Sequence, residues 1–237
     1  MIVDARTLPS ESRIDVDVCV IGGGPAGITV ARALAGRSTR VALLESGGLE
    51  TDATTQDLAR GESVGLPYYS LETARLRCLG GTTAHWGGWC RPLDDGDFTV
   101  RPWVPHSGWP FAAAELSSYY EDAHRLCQLA PLSYDPAAAG LRPPAVIGAV
   151  EPRLFRQTPP THFGKLYGDE LRRADDITVY LHATVTALET SSSRRVTEAR
   201  LAALVGQVLR ARASMFVLAA GGLENPRLLL ASRLGNP

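Results

Sequence analysis

The chain has 237 residues, with 24 Lys+Arg against 25 Asp+Glu and a formal net charge of −1. That balance argues against a nucleic-acid binder or a polybasic membrane-surface protein, which would carry a basic excess. Hydrophobic residues make up 45% and charged residues 21%, which excludes a disordered chain and allows a full core. No apolar run approaches the roughly 18 residues that suggest a membrane span. The opening MIVDARTLPSESRIDVD lacks the apolar stretch of a secretory signal. Cys19, Cys78, Cys90 and Cys127 are widely spaced and form no C-x-x-C pair, so no zinc or thioredoxin-like chemistry is expected. A reducing, cytoplasmic setting is the default expectation.

The first predicted strand is DVDVCVI, Asp15 to Ile21, followed by GGGPAG and an apolar helical pattern from Pro25 through Leu34. Gly36 is well placed to end that helix, and VALLE, Val41 to Glu45, reads as a second strand. Together they have the size of a βαβ unit, with a right-handed crossover and parallel strands. Ser46 to Leu79 is irregular, and a second glycine-rich stretch, LGGTTAHWGGWCRPL, runs to Leu93. Prolines and tryptophans between Asp94 and Pro110 predict packed, non-repetitive chain. Phe111 to Leu129 reads as a helix, with Ala112–Glu115 its first turn, and Pro131 to Pro160 as a surface excursion.

The last third returns to strands. Ile177–Leu181, Ala183–Glu189, Ala199–Leu204 and Gln207–Ala213 resemble a β-meander, with turns at SSSRR and Gly206. A buried-type strand, Ser214 to Ala220, then meets Gly221 and Gly222, with a helix expected over Asn225 to Ser232. The predicted class is α/β: a Rossmann-like domain with a parallel sheet plus a β-meander, interrupted by an irregular and helical insertion. The expected divisions are 14–93 and 176–237 for the dinucleotide-binding domain and 94–175 for the insertion.

Gly22, Gly24 and Gly27 satisfy G-x-G-x-x-G between a strand and a helix, with the acidic Glu45 ending the next strand. Gly22 permits the tight turn, Gly24 lets the backbone approach a pyrophosphate, and Gly27 lets helix and strand pack closely. Phosphates would meet the helix amino end at Pro25 and Ala26, where free N–H groups and the dipole favour an anion. Glu45 would accept hydrogen bonds from an adenosine ribose and repel a 2′-phosphate, which disfavours NADP. The fingerprint alone leaves FAD and NAD both open.

Three blocks, VCVIGGGPAG with Glu45 after it, LGGTTAHWGG and FVLAAGGLENPRLLLASR, occur in an order that resembles the glucose–methanol–choline family of flavin-dependent oxidoreductases. The likeness is strongest to its bacterial sugar- and polyol-oxidising branches and spans most of Asp15 to Arg233. It implies FAD, with Gly22, Gly24, Gly27 and Glu45 at diphosphate and ribose, Val185 at the adenine, and Ala220 at the alanine–glycine turn of the third block. It also implies that Gly80, Gly81 and Thr82 run along the flavin ring, where close backbone N–H groups stabilise charge on a reduced flavin. In the pyranose-oxidising branch a histidine before a tryptophan in this loop is joined covalently to the flavin. His85–Trp86 matches that pair, although Ala84 departs from the usual threonine. Covalent attachment at His85 and simple packing at the ring edge both remain open.

The family's catalytic histidine, paired with a second histidine or an asparagine, lies near its C-terminus, and none of the five histidines here aligns with it. The resemblance therefore implies no catalytic residue in this chain and a complementary chain carrying the C-terminal half. A truncated fragment or a non-catalytic flavin-binding subunit are the alternatives.

Overall fold

A computed structural model describes residues 1–130, 133–142, 152–191 and 195–232. Parts of the expected excursion (131–132 and 143–151), the centre of the SSSRR turn (192–194) and Arg233 of the third block lie outside the described residues. The chain forms two compact units, Met1–His85 with His162–Pro237, and Trp86–Thr161.

In chain order the first unit opens with β1 (Ile2–Asp4), β2 (Arg13–Asp15), β3 (Val18–Ile21), α1 (Pro25–Leu34) and β4 (Val41–Leu44). Two short helices follow, α2 (Ala53–Asp57) and α3 (Leu71–Ala74). The second unit holds β5 (Trp89–Cys90), α4 (Asp95–Phe98), α5 (Ser117–Leu126) and β6 (Arg156–Gln157). The first unit resumes with α6 (Phe163–Arg173), β7 (Ile177–Leu181), β8 (Thr184–Thr190), β9 (Val196–Ala202), β10 (Val208–Arg212), β11 (Met215–Leu218) and α7 (Gly221–Ala231).

A five-stranded sheet has the order β1-β7-β4-β3-β11, and every neighbouring pair in it is parallel. VCVI and VALL are buried at all four positions, because a central parallel strand is covered on both faces. On one face Ile28, Ala31 and Leu171 of the helices are fully buried. On the other, Cys19, Ile21, Ala42 and Leu44 join a core with Leu188, Leu201 and Leu209 of a second sheet, ordered β2-β10-β9-β8.

The predicted strand Asp15–Ile21 is in fact divided between the two sheets. Arg13–Asp15 pairs with β10 and Val18–Ile21 with β4 and β11, while the Asp17 carbonyl accepts from Ser214 and Met215 N–H at the crossing. Ile177–Leu181 has the predicted bounds but a different place: it pairs in parallel with β1 and β4, so the meander is β8-β9-β10. The second strand–glycine–helix unit does lie beside the first, with β11 against β3. Its helix starts at Gly221, earlier than expected, so the two glycines are its first turn.

Helix α6 went unread in the sequence. Phe163, Tyr167 and Leu171 recur at four-residue spacing and are buried, and Arg172 and Arg173 close its last turn. Because α6 packs on β7, the first unit resumes at 162 rather than at the expected 176. In the second unit the expected helix starts as a 3-10 turn, Ala113–Leu116, where the Glu115 carboxylate accepts from Ala112 N–H at 3.0 Å.

Candidate cofactor site

A cleft of about 370 Å³ opens in the first unit where the C-terminal ends of β3, β4 and β11 meet the amino ends of α1 and α7. Crevices at strand carboxyl ends are where open parallel sheets bind ligands. Of the residues expected at a cofactor, Gly22, Gly24, Pro25, Glu45, Gly81, Thr82, Val185 and Ala220 line it. Ala26, Gly27, Gly80 and His85 do not.

The fingerprint glycines are needed for different physical reasons. Gly22 has φ 107°, and a Cβ there would fall 2.6 Å from the Ala219 carbonyl oxygen, so it admits the close approach of β3 to the end of β11. A Cβ on Gly27 would lie 1.9 Å from the Gly22 carbonyl oxygen, which is the tight helix–strand contact expected there. Gly24 differs: a Cβ would meet nothing within 4 Å and would project into open space.

The two glycine blocks touch. Gly80 N–H donates to the Gly23 carbonyl at 2.7 Å, and a Cβ on Gly81 would sit 3.1 Å from the Gly24 Cα. Helix α6 holds the second block from behind. Phe163 N–H donates to the buried Thr83 hydroxyl, which donates to the Gly80 carbonyl at 2.6 Å, and Gly164 lies against Leu79 and Gly80. Sequence reading missed Thr83 and Gly164, which support the loop without lining the cleft. His85 follows that loop's 3-10 turn, Gly81–Ala84, and is exposed.

Glu45 is only 5% exposed. Its Oε2 accepts from Gly23 N–H at 2.8 Å, and its Oε1 from Gly47 N–H at 2.8 Å and the Ser46 hydroxyl at 3.3 Å. Burial pushes its carboxyl above the ordinary value, against the pull of these bonds and of the Arg77 charge. The carboxylate is thus held against the fingerprint loop, with remaining lone pairs for a further donor.

A second group was not anticipated. Arg75, Arg77, Glu224 and Arg227 all line the cleft. Glu224 Oε1 meets Arg75 Nη2 at 3.2 Å and Arg77 Nη2 at 3.0 Å, and its Oε2 meets Arg227 Nε at 2.6 Å. Burial alone would raise the Glu224 carboxyl, but the Arg227 hydrogen bond and the charges of Arg77, Arg227 and Arg75 hold it below the ordinary value. The pattern R-x-R before the glycines was the only available signal.

No histidine lines the cleft. His124, which has no partner pattern in the sequence, is buried in the second unit and bonds the Ala130 carbonyl and the Tyr134 hydroxyl, both at 2.9 Å. His106 and His182 take left-handed backbone conformations. Among the described residues no group of three or more His, Cys, Asp or Glu could hold a metal, and no helix is long and apolar enough to cross a membrane.

A parallel sheet with a glycine turn, a buried strand-end carboxylate and a cleft at the helix amino ends defines a dinucleotide-binding α/β protein. The chain belongs to the FAD dependent oxidoreductase family, whose model matches residues 17–236. FAD is therefore its cofactor, and the residues fit it: Gly24 is a cradle that a Cβ would fill. Among curated proteins, none matches the sequence.

Pyridoxine 4-oxidase from Mesorbium loti is similar in structure, with TM-score 0.60 and 20% identity over 92% of this chain and 52% of that one. A formate oxidase variant of Aspergillus oryzae RIB40, studied for FAD modification, gives TM-score 0.54 and 15% identity over 96% and 48%. A fungal aryl-alcohol oxidase gives 0.59 and 14% over 95% and 48%. The chain spans about half the length of these structures. At the level of fold, these neighbours bear out the glucose–methanol–choline resemblance.

Proposed function

We propose that the chain is the FAD-binding portion of an alcohol oxidoreductase acting on a sugar, polyol or glycoside hydroxyl. Bound FAD would supply the two-electron acceptor, taking hydride from the alcohol carbon at its N5. The chain's own residues hold and orient it. Gly22, Gly24 and Pro25 take the diphosphate at the amino end of α1, which Ala26 continues and Gly27 packs against the end of β3, and Glu45 accepts from the adenosine ribose. Val185 meets the adenine, Ala220 borders the cleft at the head of α7, and Gly80, Gly81, Thr82 and His85 run along the flavin. The observation that carries this reading is the pair of touching glycine loops opening on one cleft with a buried carboxylate.

With no histidine in the cleft, the group that takes the hydroxyl proton comes in this proposal from outside these residues, on a complementary chain bearing the C-terminal half of the fold. The four free thiols fit a cytoplasmic setting. The test is dye reduction with a panel of sugars and polyols, using the chain alone and with a candidate C-terminal half. Flavin absorbance in the chain, with turnover only in the mixture, is the expected result. Equal turnover by the chain alone overturns the two-chain reading. Bound flavin with no turnover in any mixture makes it a flavin-binding assembly subunit.

A further inference from the structure

The grouping of Arg75, Arg77 and Arg227 on one carboxylate is more than a structural tie between α7 and the loop before the flavin glycines. Three guanidinium groups face Glu224, and the only other acid lining the cleft among the described residues, Glu45, is already met by two backbone N–H groups. The charged side chains of the cleft are left with a positive excess. The amino ends of α1 and α7 both open on the same space, and each adds about half a positive charge. Arg75 Nε and Arg77 Nε are moreover buried with no hydrogen-bond partner among the described residues, so these donors are unsatisfied as the cleft stands.

We infer that Arg75, Arg77 and Arg227, gathered by Glu224, form an anion subsite for the diphosphate of the bound dinucleotide, beside the backbone cradle of the glycine fingerprint. The inference rests on the FAD reading of the cleft. Arg77 is further braced by Ser46 Oγ at 3.0 Å and the Leu58 carbonyl at 3.2 Å, and Arg75 by the Ala59 carbonyl at 2.9 Å. Both guanidinium planes are thereby oriented before any ligand arrives, which suits the fork geometry of phosphate recognition. Glu224 is a positioning residue: its carboxylate keeps three mutually repelling cations on one side of the cleft.

Calorimetric titration of the full chain with FAD, ADP and adenosine, at low and high salt, tests this. Wild-type protein should bind ADP at least about tenfold tighter than adenosine, with FAD and ADP affinity falling as salt rises. Arg77→Gln and Arg75→Gln should each lose about tenfold or more for FAD and ADP while leaving adenosine unchanged, and should flatten the salt dependence. Glu224→Gln should show a smaller loss of the same pattern, recovered in part by Glu224→Asp. Arg227→Gln provides a variant at a half-exposed side chain, should an inner substitution prevent folding. Variants with wild-type melting temperature and wild-type ADP and FAD affinity would overturn the subsite and leave the flavin reading intact. ADP binding that depends on the arginines, with no FAD binding, would support the subsite and sink the flavin reading.

Discussion

A methyl group added at Gly24 meets no atom within 4 Å, whereas one added at Gly27 falls 1.9 Å from a carbonyl oxygen. The same fingerprint therefore holds a glycine facing open space, proposed above to meet the diphosphate, and a packing glycine, and substitutions separate them. Gly24→Val should keep the melting temperature and abolish FAD binding, read as loss of flavin absorbance after gel filtration. Gly27→Ala should lower stability by about 1–3 kcal/mol through overpacking. Full flavin occupancy in Gly24→Val would displace the diphosphate from this loop. His85, exposed after the second glycine block, allows an equally direct test. Flavin should wash out of acid-precipitated wild-type protein. Colour that persists in wild-type protein and disappears in His85→Ala would instead make this residue a covalent anchor. Cys19 is fully buried and its thiol is pushed up to about 12 by burial, so it should resist thiol reagents at neutral pH until the chain is denatured.

Helix α7 meets the rest of its unit through Leu228, buried in the core, and through polar anchors. Asn225 accepts from Ala220 N–H at 2.9 Å, and Glu224 binds the two loop arginines. Because the folded-state carboxyl of Glu224 lies below its ordinary 4.5, its stabilising contribution is present above that value and is lost as pH falls through the folded value. Glu198, held below 4.5 by Arg210 and Arg212 against the opposing effect of burial, acts in the same direction. Glu45, raised by burial, acts oppositely: stability falls as pH rises from 4.5 through its folded value. Thermal melts from pH 7 to 3 should show a smaller acid-side loss in Glu224→Gln than in wild-type protein. An unchanged acid limb would mean that the Arg–Glu224 pairs contribute nothing to stability. Elements whose signal is local were legible in the sequence. Asp15–Ile21, Val41–Glu45 and Ile177–Leu181 read as strands from their apolar runs, close to the observed Val18–Ile21, Val41–Leu44 and Ile177–Leu181, and the glycine spacing marked the turn. Sheet membership was not legible, because β7 and β8 look alike in sequence and differ only in which distant strand they pair with. The arginine group was hidden for the same reason, since Arg75 and Arg77 lie far along the chain from Glu224, although Arg227 is only three residues from it.

At the scale of the molecule, one edge of the parallel sheet is β11, where Met215 is 59% exposed, and α7, which packs on β8, leaves Leu230 80% exposed. A complementary half that docked here would cover both side chains. Addition of a complementary C-terminal half should reduce the fluorescence of an apolar-surface dye bound to the chain and raise the melting temperature. No change in either would argue against docking at this edge.

The pairing of β3 with β11 also bears on how the chain is made. Val18 stands opposite Met215, so one side of the fingerprint strand finds its neighbour only after the far-distant β11 has been synthesised. At about 5–20 residues per second, the roughly 200 intervening residues take on the order of 10–40 s to emerge. Throughout that interval the strand that leads into the cofactor loop has an open edge, able to pair with another nascent chain. Production should therefore be limited by events during translation, and slower synthesis at low temperature or abundant chaperone should raise the soluble yield.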